Sequence, residues 1–276
     1  MDKNLSSSSI EAVQETVPED AISATSTAST AASSMASSTA SNPSMASTAT
    51  SATSAATSAS FASLASSCAN MTLYVSNVTG KKTNVSYPYE AKVNSLEALK
   101  KAVQYDHVSA KYADKKSKSG HVIKAYRSKS GFMFSDCLPM DCDNSNPNPL
   151  QADLSESEWK TPEDVKSAFP NVPFYVVYSR NHMKEKDGKR ARPKFHVYFP
   201  LKSGFKSIKK YEALKQVALA AFPYFDNNAI DGARFFFGVE NPKVEYFAGD
   251  IKIDEFLASE LSAIDTGENL KESKWA

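Results

Sequence analysis

The chain is short of cysteine, and it has no long apolar run. No stretch of its 276 residues is long and apolar enough to span a membrane, so no membrane partner is expected. Three cysteines (Cys68, Cys137, Cys142) with four histidines suggest a reducing compartment, read here as the cytoplasm. Cys137 and Cys142 have no second pair at zinc-site spacing, which argues against a structural zinc. A phosphate-binding loop of the Gly-x4-Gly-Lys-Ser/Thr kind is also missing. Gly188-Lys189 lacks both the first glycine and the hydroxyl, which excludes a helicase or ATPase of that class. No internal repeat occurs.

Residues 1–70 lack what a core needs. They are almost entirely Ser, Ala and Thr, with no periodic apolar pattern, and are predicted to be a disordered tail. The stretch has no apolar segment behind a basic start, as a secretory signal would. It has no arginine, as a transit peptide would, and it carries Glu11, Glu15, Glu19 and Asp20. A mucin-like stalk would require export, which nothing in the sequence supports.

Residues 71–276 have the length of one domain. The tail holds one base, Lys3, and five acids. The remainder therefore has 31 bases against 26 acids, a mildly basic balance of about +5 that is compatible with nucleic acid. Mixed α and β structure is expected, of the α+β class. Leu96 to Tyr105 reads as a helix capped by Asn94 or Ser95. Thr161-Pro-Glu-Asp164 starts another, with a cap, a proline in the first turn and acids at the positive end. Ser207 caps a third, through about Phe222. Phe174 to Tyr178, Lys194 to Phe199, Arg234 to Val239 and Val244 to Phe247 read as strands, and Asp254 to Ile264 as a closing helix.

The chemistry concentrates in a few short segments. In Leu138-Pro-Met-Asp-Cys-Asp-Asn144, side chains alternate along a strand, so Asp141 and Asp143 share a face. Two carboxylates so close repel each other unless a cation lies between them, and hard oxygen ligands suit Mg²⁺ or Mn²⁺. His196, in Lys194-Phe-His-Val-Tyr198, and an acid after Phe225 would complete a site for metal-assisted phosphoryl chemistry. The bland alternative is a strand running out into a polar loop, with Pro139 marking a bend or an edge. His182 follows a strand and is a weaker candidate, whereas His107 and His121 are assigned to structure or surface. Asp226 and Asp231 compete for the third acid. Arg234 either forms an ion pair or clamps a phosphate. Lys184, Lys186, Lys189, Arg190 and Arg192 fall within nine residues, around a turn at Gly188. They form either a solvated hairpin or a nucleic-acid contact. The aromatic residues fall mostly on apolar faces and read as core rather than as a base-stacking platform.

Three stretches together resemble the archaeo-eukaryotic primase, or primase-polymerase, superfamily, and in particular the primases of phages, plasmids and integrative elements. They are Asp136-Cys-Leu-Pro-Met-Asp-Cys-Asp-Asn144, Arg192-Pro-Lys-Phe-His-Val-Tyr-Phe-Pro200 and Phe225-Asp-Asn-Asn-Ala-Ile-Asp-Gly-Ala-Arg-Phe-Phe-Phe-Gly238. The likeness runs from roughly Met71 to Gly249. It implies an RRM-like antiparallel sheet with a smaller α/β unit. It implies metal binding by Asp141, Asp143 and Asp226, and nucleotide phosphate contact by His196, with Arg234 and Lys194 assisting. Lys194 stands where the family more often has serine or another small residue. The implied activity is template-directed nucleotidyl transfer in replication of a mobile element. Its partners would be single-stranded DNA, nucleoside triphosphates and a separate replicative helicase. A metal-dependent nuclease and a non-catalytic replication-initiation module remain as alternatives.

Overall fold

Aromatic and β-branched runs alternate with capped helices along the chain. The computed structural model describes residues 68–146, 148, 151–186 and 188–265, all within the unit Thr57–Ala276. The tail expected over residues 1–70 lies outside the described residues as far as residue 67. The strands are β1 (Met71–Val75), β2 (Tyr89–Val93), β3 (His107–Val108), β4 (Lys111–Tyr112), β5 (Lys115–Lys116), β6 (Val122–Ile123), β7 (Phe132–Cys142), β8 (Phe174–Tyr178), β9 (Phe195–Phe205), β10 (Phe235–Phe236) and β11 (Val244–Phe247). The helices are α1 (Leu96–Val103), α2 (Pro162–Ala168), α3 (Ile208–Ala221), α4 (Ile253–Phe256) and α5 (Ala258–Asp265). None of the described helices is long and apolar enough to cross a membrane.

Caps mark the helix starts. The Ser95 hydroxyl accepts from the Ala98 N–H at the head of α1. Thr161 and Asp164 form a reciprocal capping box ahead of Pro162 in α2. The closing helix is broken at Leu257 into α4 and α5. The run Arg234 to Val239 pairs over only two residues, because β10 meets only the two-residue β3.

All the strand pairing among the described residues is antiparallel. One sheet has the order β11-β8-β9-β7-β4, another β10-β3-β1-β2, and β5 and β6 form a separate ribbon. The five-stranded sheet has two buried faces. On one, Leu138, Met140, Phe195, Val197 and Phe199 pack against Tyr211, Leu214 and Ala218 of α3 and against Val165 and Phe169. On the other, Cys137, Tyr175, Val177 and Tyr198 meet Met71 and Leu73 of β1 and Leu99 and Val103 of α1. Each fully buried phenylalanine of this core contributes about 2–3 kcal/mol of transfer free energy. Cys137 and Cys142 fall into opposite cores, and all three cysteines are free.

Pro139 lies in the half of β7 that pairs only with β9, since β4 reaches no further than Phe134. It therefore sits on a local edge, where a missing N–H costs no ladder bond. Residues 68–70 already pack on the domain: Ala69 donates to the Tyr246 hydroxyl and accepts from the Tyr175 hydroxyl.

Candidate metal and phosphate site

β7 and β9 position the first residues of the site. Asp141 and His196 are cross-strand partners in register, so their side chains emerge side by side on the face turned away from α3. Asp143 follows just beyond the strand end. Asn144 then takes a left-handed conformation (φ 49°), which asparagine tolerates, and its buried amide locks the exit. It donates to the carbonyls of Lys160 and Pro193 and accepts from the Lys160 N–H. Asp226 arrives at the end of the segment after α3, anchored by buried Phe225. Its backbone N–H donates to the Asp141 carbonyl, and its carboxylate accepts from the Asn228 N–H. As a result, ligand oxygens of Asp141, Asp143 and Asp226 lie within 4.8 Å of one another.

The electrostatics of the three acids differ. Burial opposes charge on Asp141, but His196 and Arg234 outweigh it and hold the carboxyl below its ordinary range. His196 Nδ1 lies 2.9 Å from one Asp141 oxygen and Arg234 Nη2 lies 3.1 Å from the other. Asp143 goes the other way: burial first, and then the Asp141 charge, push it up, with Lys194 at 3.4 Å offsetting only part. Such a group gains from a cation. The set offers carboxylate oxygens and no thiolate, which fits a hard divalent ion such as Mg²⁺ or Mn²⁺.

Two cavities flank the acids. One, of about 220 Å³, is lined by Asp141 and Asp143 together with Lys82, Arg180, Lys186, Lys194, His196, Arg234 and Phe235 to Phe237. The other, of about 370 Å³, is lined by Asp143, Asp226, Tyr224 and several amides, among them Asn146, Asn227 and Asn228. The first holds the concentrated positive charge, which makes it the better place for a polyanion. A carboxylate can only accept, so His196 Nδ1 carries the hydrogen of that bond and Nε2 is left for a ligand. The ring stands edge-on to Phe236, which stacks on buried His107. His107 in turn bonds the Tyr198 hydroxyl and the Tyr105 carbonyl.

The structure brings Asp141, Asp143, Asp226, His196, Lys194 and Arg234 together, and it separates others from them. Asp231 stays apart: its carboxylate accepts from the Ala233 N–H and lies 3.5 Å from Lys129. His182 accepts from the Lys194 N–H and packs edge-on to Tyr178, and His121 is exposed. The basic run splits. Lys184 and Lys186 are exposed, and Lys186 reaches the cavity. Lys189 and Arg190 lie 3.5 Å from Asp153 and Glu156. Arg192 is only 3% exposed and lies 3.2 Å from Asp153, in a largely buried ion pair.

Two cavity bases escaped the sequence reading, Lys82 and Arg180. Arg180 follows the end of β8, beside the strand that carries His196, and its guanidinium stacks 3.8 Å over Phe237. Its place just past a strand end, next to the better-marked His182, was the available signal. Lys82 carries no such signal.

No protein-family model and no curated protein matches the chain significantly. Among solved structures, the AEP domain of the cyanophage S-2L primase-polymerase (PrimPol) aligns with 69% of this chain and 88% of its own. The identity is 10% and the TM-score 0.34, a loose likeness.

Proposed function

We propose that the chain is a template-directed nucleotidyltransferase of the primase-polymerase kind. The observation that carries this reading is the convergence of three carboxylates beside a cavity lined with Lys82, Arg180, Lys194, His196 and Arg234. Negative ligands for a cation and positive ligands for phosphates thus share one cleft. A nuclease needs the acids but has less use for a basic pocket of nucleotide size. The two antiparallel sheets, with α2 and α3 on one face of the larger sheet and α1 with β1 on the other, are compatible with an RRM-like core and a smaller unit.

In this reading Asp141, Asp143 and Asp226 hold divalent metal, Mg²⁺ or Mn²⁺. Bound there, the metal supplies Lewis-acid activation of a hydroxyl and neutralises triphosphate charge. His196 presents Nε2 to a phosphate oxygen. When both ring nitrogens donate, the ring is the imidazolium, and its charge faces the Asp141 carboxylate. Arg180 and Arg234 offer planar guanidinium forks to the remaining oxygens, and Lys194 and Lys82 offer point charges. Phe236 fixes the tilt of the His196 ring. The acceptor strand would approach through the amide-lined cavity, whose wall Asp143 and Asp226 also form.

The test is nucleotide incorporation on a single-stranded template with Mg²⁺ or Mn²⁺, with and without a primer, scored for pyrophosphate. Strand cleavage without pyrophosphate makes the protein a nuclease. Strand binding with neither product makes it a replication-initiation module.

A further inference from the structure

Charge counted along this sequence is not charge displayed on its surface. The run Lys184 to Arg192 looks the most basic, yet Lys189, Arg190 and Arg192 each face an acid. Residues 111–129 attract less notice and hold seven bases against one acid, Asp114. Three of those bases are engaged. Lys124 pairs with Asp114 at 2.7 Å, Lys129 pairs with Glu212 at 2.7 Å, and Arg127 donates to the Ala233 carbonyl. Lys111, on β4, has the charge of Glu90 near it, which leaves Lys115, Lys116 and Lys118. All three are exposed on the β5–β6 ribbon, and none has an acid partner among the described residues. Lys115 lies 4.3 Å over the Tyr126 ring.

The ribbon is fastened to the wall of the cleft. Tyr87 N–H donates to the Ala125 carbonyl, Arg127 N–H to that of Val85, and the Ser86 hydroxyl to that of Lys124. The strip so bonded begins at a turn closed by Asn84 N–H on the Lys81 carbonyl, which carries Lys81 and Lys82. Fully buried Asp106 accepts from the N–H groups of Gly80, Lys81 and Gly238, and so ties this turn to the chain leaving β10. Gly238 has no room for a side chain there: a Cβ would lie 2.3 Å from the Gln104 carbonyl oxygen. Lys82 then lines the same cavity as Arg180 and Arg234.

We propose that a single-stranded nucleic acid binds along this track. Its phosphates would be held by Lys115, Lys116 and Lys118 and by the Lys81–Lys82 turn, and the strand would enter the cleft at Arg180. The choice of a nucleic-acid strand rests on the nucleotidyl-transfer reading, while binding at the ribbon does not require catalysis. Cations without an acid partner among the described residues, on a ribbon bonded to the strip that carries Lys82 into the basic cavity, suit a phosphodiester backbone. A membrane surface would call for apolar side chains among the lysines, and Val122 is the one large apolar side chain exposed on the ribbon among the described residues.

The experiment uses the full chain and its variant Lys115→Gln/Lys116→Gln/Lys118→Gln. Anisotropy of a labelled oligo-dT strand is followed over a salt series without divalent metal. The expected result is binding at least about tenfold weaker near 0.1 M salt, with the slope of log affinity against log salt shallower by about 2. A pair of changes at Lys189 and Arg190 should weaken binding by less than about threefold, because those charges already face acids. Matching melting temperatures would show that the variants fold. Unchanged affinity and slope in the triple variant would overturn the ribbon assignment. So would tighter binding of the wild type to phosphatidylserine vesicles than to the strand. Incorporation assays separate the two readings. A polymerase whose strand affinity ignores the three lysines sinks the ribbon alone. A strand binder that needs them but never incorporates nucleotide sinks the enzymatic reading alone.

Discussion

The backbone N–H of Asp226 donates to the backbone carbonyl of Asp141 at 2.7 Å. This one bond docks the segment after α3 onto the end of β7. It sets the third carboxylate by main chain rather than by side chain, so exchanging any one carboxylate leaves the other two in place.

Asp141 and Asp143 look equivalent in sequence and should respond differently. Asp143→Asn relieves a carboxyl that burial and Asp141 push up, so stability should hold or rise slightly. Asp141→Asn leaves half-exposed Arg234 and nearly buried His196 without their anion, at a cost of about 1–3 kcal/mol. Both should abolish nucleotide incorporation and the stabilisation that Mg²⁺ or Mn²⁺ confers on melting. Acid should remove the Asp141 contribution. Its folded-state pKa is depressed, so the contribution is present above the unfolded value near 4 and lost as pH falls toward the folded one. Equal stability changes for the two variants would contradict this division.

His196→Gln should raise the apparent KM for nucleotide by about tenfold and lower kcat, with metal affinity little changed. The imidazole bonds an oxygen of Asp141 and would act on a bound metal only through that carboxylate. Metal titration followed by melting temperature checks this. A loss of metal affinity as large as that of Asp141→Asn would make His196 a ligand.

Lys215 is fully buried on α3, and its ammonium donates to the carbonyls of Pro139 and Ala229. It thereby clamps β7 to the turn that follows Asp226. Burial pushes its pKa down to about 7. The unfolded chain holds that proton up to about pH 10.4, so between these values it binds more protons than the folded protein does. Stability should therefore rise across that window, by up to about 1.4 kcal/mol per pH unit. Lys215→Met should lose this rise. Denaturant melts of both proteins between pH 7 and about 10 would decide it, and identical slopes would refute it.

A chain beginning at Cys68 should melt with the full-length protein, whereas one beginning at Met71 should melt a few degrees lower. The difference is the pair of hydrogen bonds that Ala69 makes with Tyr246 and Tyr175, the second of which satisfies the hydroxyl of a buried ring. Differential scanning calorimetry of the three chains tests this. Equal melting temperatures for the two truncations would mean that those bonds contribute nothing.

Wherever information is local, the sequence alone determined the outcome. Phe174–Tyr178 and Val244–Phe247 are strands with the boundaries read from their composition, and Ser95 and Thr161 cap the helices that follow them. Alternation along a strand was enough to put Asp141 and Asp143 on one face, because side-chain direction has a period of two whatever lies opposite. Which partners those faces meet was decided only by the tertiary structure. The two-residue strands β3 to β6 and β10 have too few residues for any pattern to show. No spacing in the sequence links Arg234 to Asp141, Asp106 to Gly80 and Gly238, or Arg192 to Asp153. Those contacts join segments far apart in the chain, and folding decides which bases are neutralised and which face solvent. For that reason three bases of the conspicuous run Lys184 to Arg192 face acids, while Lys115, Lys116 and Lys118 have no acid partner among the described residues, and Lys82 and Arg180 belong to the cleft.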